Sequence, residues 1–419
     1  LSVSRLDIGH RASGLQLHAA GTVGVVAGGP RLDLHGRWNS FRWPLNDSSA
    51  PFGSATGEYS LAGLWPYALS ASGQLRVRDL PLMPFTAQGS LRHDGVDLAT
   101  ATLGALGGHA QLHGYANWTP AENWSLAGTM SHLEVAALRP AISGRVNFAL
   151  QAAGENFGKH ATLQARLSEL TGEVRGQRAS GHAGIALVGD DWLLQQVRLQ
   201  LGATRLDLDG HLGEHLDLRF GIDATDLGLL HSGARGTLRA QGHVRSDAAH
   251  PLLQGTLHGE GMQWDGMRLQ ELEAKMDFDP QGSGRVDVSV QLNRLLLNER
   301  QFEAVHFGTS GTAAAHRFEF RLQAPSLSVR AGGSAAFADG RWHAQVSQVE
   351  ASDGAKIKLT LAEPVALLVA LSGDELRLEP LCLHDVQARL CANGEHDAAH
   401  SHFNISATNV PLRTLTTGL

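Results

Sequence analysis

Two cysteines, a cluster of histidines and one acidic loop are the groups in this 419-residue chain whose spacing invites chemistry. Cys382 and Cys391 flank a hairpin centred between Val386 and Gln387, so symmetric antiparallel pairing sets them opposite each other. A bridge then requires Cβ atoms about 3.5–4.5 Å apart; two unlinked thiols are the alternative. His396-Asp397-Ala398-Ala399-His400-Ser401-His402 has the density of a metal site, but it occupies a hairpin that varies between internal copies and reads as a solvated loop. Asp277-Phe278-Asp279 followed by Gly282 opens like a calcium loop, yet Val288 stands where the bidentate glutamate is required. It is read as a turn. The glycine-rich stretch from Gly21 to Gly29 has no amphipathic helix after it, so it is no dinucleotide fingerprint. No spacing suggests a nucleophile with its base and acid. The chain is expected to be no enzyme and to carry no cofactor and no metal.

The elements that must position these groups are strands. Apolar and polar residues alternate in Arg31-Leu32-Asp33-Leu34-His35, Arg205-Leu206-Asp207-Leu208-Asp209, Leu216-Asp217-Leu218-Arg219-Phe220 and Arg317-Phe318-Glu319-Phe320-Arg321, the mark of a strand with one sheltered face. Turn signals separate them at Asp279-Pro280-Gln281-Gly282, Asp353-Gly354 and Asn393-Gly394. Glycine is abundant, 49 residues, and reads as punctuation between short strands. Helical periodicity is confined to pieces such as Leu133-Glu134-Val135-Ala136-Ala137-Leu138, one or two turns at most. His35, His113 and His211 flank glycines at outward positions and need no special role.

The strands repeat. Leu187–Gly210 aligns without gaps on Leu371–Gly394, an offset of 184, and Leu98, Leu103, Leu112 and Gly114 match Leu194, Leu199, Leu208 and Gly210 at an offset of 96. The cysteine positions become Arg198 and Asp207 in one copy and Thr102 and Gln111 in another. An ion pair, a polar pair and a disulfide are interchangeable cross-strand ties. A short motif follows each copy: His132-Leu133-Glu134-Val135, Asp226-Leu227-Gly228-Leu229 and Asn409-Val410-Pro411-Leu412, with Asp79-Leu80-Pro81-Leu82 as an earlier cousin. These offsets predict one continuous array with approximate units 1–80, 81–135, 136–229, 230–325 and 326–419, in which neighbours cover one another's apolar face. Roughly 35 strands at ~4.8 Å each would make a sheet on the order of 160 Å long.

Inward positions carry Leu, Val and many Ala, and aromatic residues are only 6%; a sandwich core would hold bulkier side chains. The expected fold is therefore all-β, an elongated, curled, repeat-built sheet forming an open trough, with a few very short helices. An apolar inner wall of that size marks a binding surface, and its shape suits acyl chains. The residues expected to line it are Val197, Leu199, Leu201, Leu206, Leu208, Leu218, Phe220, Ile222, Phe318, Phe320, Leu322, Leu327, Val329, Leu381, Leu383 and Leu390. With a formal net charge of −7 and 34 Lys and Arg residues, there is no electrostatic case for a nucleic-acid partner.

Three stretches carry a resemblance. They are Leu34–Leu45 with Gly57-Glu58-Tyr59-Ser60-Leu61-Ala62-Gly63; His250–Trp264 with Leu269 and Leu272; and Leu378–Cys382 through Ala388–Cys391 with Gly394. In this order they resemble the TamB family of the AsmA-like and bridge-like lipid-transfer group. The resemblance implies a periplasmic protein of the Gram-negative envelope, anchored in the inner membrane and carrying phospholipid along a β-sheet trough toward the outer membrane. It also implies an outer-membrane barrel partner, TamA. The chain opens inside an alternating pattern without methionine and is expected to be an internal piece, with the anchor and the TamA-contacting region outside it. The competing function is a scaffold or chaperone that assists outer-membrane proteins through its sheet edge.

Overall fold

The structure, a computed structural model, describes residues 1–45, 50, 52–77, 80–156, 161–189, 191–247, 250–281, 283–353 and 357–409. Asp79, Gly282, Gly354 and residues 410–412, all named above, lie outside the described residues. The described strands number 28 and belong to one antiparallel sheet, fewer than the 35 expected because β-runs are longer than a dozen residues with their turns. The chain divides into two compact units, Leu1–Gly202 with Asp207–Gly213, and Ala203–Leu206 with Glu214–Leu419.

The first unit carries β1 (Ser2–His10), β2 (Leu15–Val26), β3 (Gly29–Trp43), β4 (Phe52–Gly63), β5 (Tyr67–Val77), β6 (Met83–Leu91) and β7 (Gly95–Ala105). It continues through β8 (Gly108–Asn117), β9 (Asn123–Glu134), β10 (Gly144–Glu155), β11 (Leu163–Val174), β12 (Gln177–Val188) and β13 (Asp191–Leu201). Each strand from β1 to β12 pairs with the next in the chain. β14 (Thr204–Leu212) falls partly in each unit.

The second unit holds β15 (His215–Ala224), β16 (Arg235–Asp247), β17 (His250–Trp264), β18 (Met267–Phe278), β19 (Arg285–Leu297), β20 (Arg300–Thr312) and β21 (Ala315–Gln323). After these come β22 (Ser328–Ala338), β23 (Arg341–Asp353), β24 (Ile357–Leu361), β25 (Val365–Ala370), β26 (Leu376–His384), β27 (Arg389–His396) and β28 (Ser401–Thr408). They form the same meander. Its one variation is that β24 and β25 both pair with β23, at Glu350–Asp353 and at Arg341–Val346. They occupy a single strand position interrupted by Ala362-Glu363-Pro364, where proline has no N–H to give the ladder.

Five connections are two-residue turns with both residues at positive φ: Leu106-Gly107, Arg175-Gly176, Asp265-Gly266, Asn298-Glu299 and Asp339-Gly340. This is the type I′ geometry whose twist matches that of the strands. Four of the five place glycine second; Glu299, at φ 72°, is the exception. Helix is limited among the described residues to single 3-10 turns at Val135–Ala137 and Leu227–Leu229, the second capped by Asp226, which accepts from the Gly228 N–H at 2.9 Å. Both sit in the short motif that follows a repeat copy.

Glycine does more than punctuate. Gly57 lies within β4, opposite Trp38 and Gly73, and a Cβ there would stand 1.9 Å from Trp38 Cζ2. The indole lies across the bare backbone, stacks near Tyr59 and Phe85, and donates from Nε1 to Ser54 Oγ at 3.1 Å. A second aromatic cluster joins Phe278, Phe318, Phe337 and Trp342 around His316 in the second unit.

Candidate functional site

Register decides which side chains share a face, because directly paired residues point the same way. In the first unit one row runs Leu34, Leu61, Leu69, Gly89, Leu98, Gly114, Leu126, Ala152, Ala165, Ile185, Leu194, one residue from each strand β3 to β13. In the second unit a row runs Ile222, Ala240, Leu257, Ala274, Val290, Phe307, Phe320, Ala331, Val349 across β15 to β23. Every member of both rows is apolar or glycine, and every one is half-buried rather than sealed. A packed core would bury them. The second row covers about 38 Å at ~4.8 Å per strand.

The opposite face is polar and tied by cross-strand pairs. Arg37 meets Glu58 at 3.1 Å, Asp7 meets His18 at 2.5 Å, Asp217 meets His243 at 2.6 Å and Arg239 meets Asp223 at 3.3 Å. The hydrogen bonds from His18 and His243 hold the carboxyls of Asp7 and Asp217 below the usual carboxylate range. The cysteine prediction belongs to this face: Cys382 and Cys391 are register partners joined in a disulfide, with Cα atoms 4.1 Å apart. Its counterparts behave as the alignment requires. Arg198 and Asp207 form an ion pair at 3.4 Å, and Thr102 lies opposite Gln111.

The predicted lining residues fall as follows. Ile222 and Phe320 are in the second row; Leu218, Phe220, Phe318, Leu322 and Val329 are on the same face beside it. Leu383 pairs with Leu390 and Leu381 with Ala392, opposite in sense to the disulfide. Leu199 and Leu201 face Gly181 and Ala179, and Leu206 and Leu208 alternate with the ion-paired Asp207. Val197 sits at a break in the β12–β13 register, beside Gln196 at φ 49°. Val197, Phe318 and Leu383 are buried. Leu327 is in the β21–β22 turn, where its backbone exchanges bonds with Ala324. The earlier strands contributed none of the predicted residues, because glycines at Gly89 and Gly114 interrupt their aliphatic row; only register reveals it.

Inside the apolar face one titratable group is committed. His316, 3% exposed, accepts at Nε2 from the Trp342 indole N–H at 2.7 Å and, through Nδ1–H, donates to the Thr312 carbonyl at 3.0 Å. Burial pushes its pKa below the ordinary value. Burial likewise pushes Tyr59 up.

The histidine-rich hairpin spends its groups locally: His396 Nδ1 meets Ser401 Oγ at 2.7 Å, and Asp397 accepts from the N–H groups of Ala399 and His400. Asp279 likewise accepts from the Gln281 N–H at 3.1 Å, closing a turn, while Asp277 pairs with Arg285 and Gln254. Among the described residues no group of three or more His, Cys, Asp or Glu is placed to hold a metal ion, and no helix is long and apolar enough to cross a membrane.

A family model described as the TamB N-terminal domain matches residues 2–418. The translocation and assembly module subunit TamB of Haemophilus influenzae is 22% identical over 175 residues, 41% of this chain. That stretch spans 13% of the Haemophilus protein's length.

Proposed function

Because the chain belongs to the TamB family, we propose that its half-buried apolar face seats phospholipid acyl chains and conducts them through the periplasm between inner and outer membrane, in support of outer-membrane biogenesis. The observation that carries this reading is the pair of apolar rows, eleven and nine strands wide, left open along their length. Each CH₂ moved from water onto such a wall gains about 0.8 kcal/mol. Successive strands offer similar walls, so movement along a row changes the energy little. The protein acts here as a non-enzymatic part of the translocation and assembly module, held at the inner membrane and working with the outer-membrane barrel TamA.

Photo-crosslinking in cells tests it. Reactive side chains placed at Ile222, Phe320 and Leu126 are expected to capture lipid. Capture of protein at those positions with no lipid would overturn the conduit and favour a scaffold for outer-membrane proteins.

A further inference from the structure

At one margin the apolar face of the second unit is shut by aromatic rings gathered round a buried histidine. Phe278, Val286, Gly311, His316 and Ala335 are successive register partners, one from each strand β18 to β22. In a flat sheet the first and last of these strands would lie about 19 Å apart at ~4.8 Å per strand. Yet Phe278 meets Phe337, two residues beyond Ala335, with ring centroids 5.3 Å apart. The sheet therefore curls in on itself here. Two backbone bonds of 2.8 Å hold the curl: the Ala313 N–H donates to the Gly284 carbonyl, and the Phe337 N–H donates to that of Ala313. Val286 is 1% exposed and Ala313 0%, whereas Val290 and Phe307, farther along the same strands, are half-buried.

His316 is the titratable member of this cluster, and the cluster suits only its neutral form. The ring stacks on Phe337 with centroids 5.2 Å apart, and its nitrogens are spent on the Trp342 N–H and the Thr312 carbonyl. A second proton would set two N–H donors against each other at Trp342 and leave the indole without an acceptor. It would also place a charge among Phe318, Phe337 and Trp342 with no carboxylate turned toward it among the described residues. Asp277 of β18, Arg285 and Asp287 of β19, His306 of β20, Arg317 of β21, and Arg341 and His343 of β23 alternate with inward side chains and lie on the opposite face. On β22 the outward neighbours are Ser334 and Ala336. Burial accordingly lowers the pKa of the ring.

We propose that these rings are a stopper released by acid: with His316 neutral they close this margin of the apolar face, and with His316 protonated they part and uncover Val286. The backbone bonds through Ala313 involve no titratable group, so the curl stays while the rings move. The inference rests on the acyl-chain reading above for what then enters. It adds to that reading a condition under which the wall is extended.

The test uses the 419-residue chain, whose two cysteines are joined to each other, so that one introduced thiol reports alone. Val286→Cys is reacted with a methanethiosulfonate reagent at pH 7.5 and 5.0. Its rate is divided by that of the exposed Ser334→Cys at the same pH. The ratio is expected to be small at pH 7.5 and about tenfold larger at pH 5.0, inside the roughly thirtyfold that one linked proton allows between 6.5 and 5.0. In a His316→Leu chain it should stay small at both. Ala110→Cys, at a buried position of the first unit, should also stay slow. An unchanged ratio at pH 5.0, the same rise in the His316→Leu chain, or an equal rise at Ala110→Cys, which marks loosening of the whole protein, overturns the stopper. None of these readings needs lipid, so their failure leaves the conduit standing. Absence of lipid capture at Ile222 and Phe320 overturns the conduit and leaves the stopper.

Discussion

At the scale of single residues, the sheet depends on where side chains are missing as much as on where they are present. Gly57→Ala should cost about 1–3 kcal/mol by forcing Trp38 off the backbone, read as a shift in the urea midpoint. Glu299→Gly should act in the opposite direction, gaining roughly 1–2 kcal/mol by relieving a left-handed residue. His316 predicts a pH response whose sign follows from its bonds. The folded state keeps the ring neutral, because a proton on Nε2 would face the Trp342 N–H instead of accepting it. The unfolded chain, with the ordinary value of 6.5, therefore binds more protons on acidification. Stability is full above that value and falls as the pH drops from about 6.5 toward the lowered folded pKa. A His316→Leu variant should lose that part of the acid sensitivity in denaturation curves taken between pH 7 and 5. The cysteine pair was legible in advance because hairpin symmetry and two repeat copies converged on it. The inward histidine was not, because period-two alternation names a face without saying which polar residue will be turned into it.

Elements add a second level of order, since the repeats share defects as well as strands. The ladder slips between Leu98 and Ala101 in β7, between Gln195 and Arg198 in β13, and between Leu378 and Leu381 in β26, at positions related by the alignment offsets to within one residue. Such bulges increase local twist and bend the strand; in β26 the slipped stretch includes Pro380, which needs no ladder bond there. The face that these strands present was readable from alternation. The slips were not, because an extra residue in one strand is visible only against its partner. Just past this bulge the disulfide closes a separation of nine residues, so Cys382→Ser with Cys391→Ser should cost about 2–3 kcal/mol by the loop-entropy account, measured by denaturant titration. Titration of the denatured, unreduced protein should find no free thiol.

For the whole molecule, connectivity is the governing fact. Among the pairings within each unit, strands bond to their neighbours in the chain, or across the single broken position formed by β24 and β25. On the acyl-chain proposal each row is tested by itself: Leu126→Asp and Ile222→Asp, each in a folded protein, should each strongly lower lipid transfer between labelled vesicles. An unchanged rate in either variant would overturn the part given to that row. The all-β class and the one-sided wall could be read from the chain before any coordinates, since both follow from alternation. The count of strands could not, because glycine inside strands resembles glycine between them.

The three aligned bulges lie on β7, β13 and β26, and with β24 and β25 sharing one place these are six and then twelve positions apart. Both intervals are even. Growth by whole hairpins keeps every later strand running in its former direction and every later turn on its former margin, whereas insertion of one strand would exchange the margins of all that follow. A gene that lengthens or shortens by such blocks can thus change the number of strands in its product while each surviving segment stays in frame with the rest.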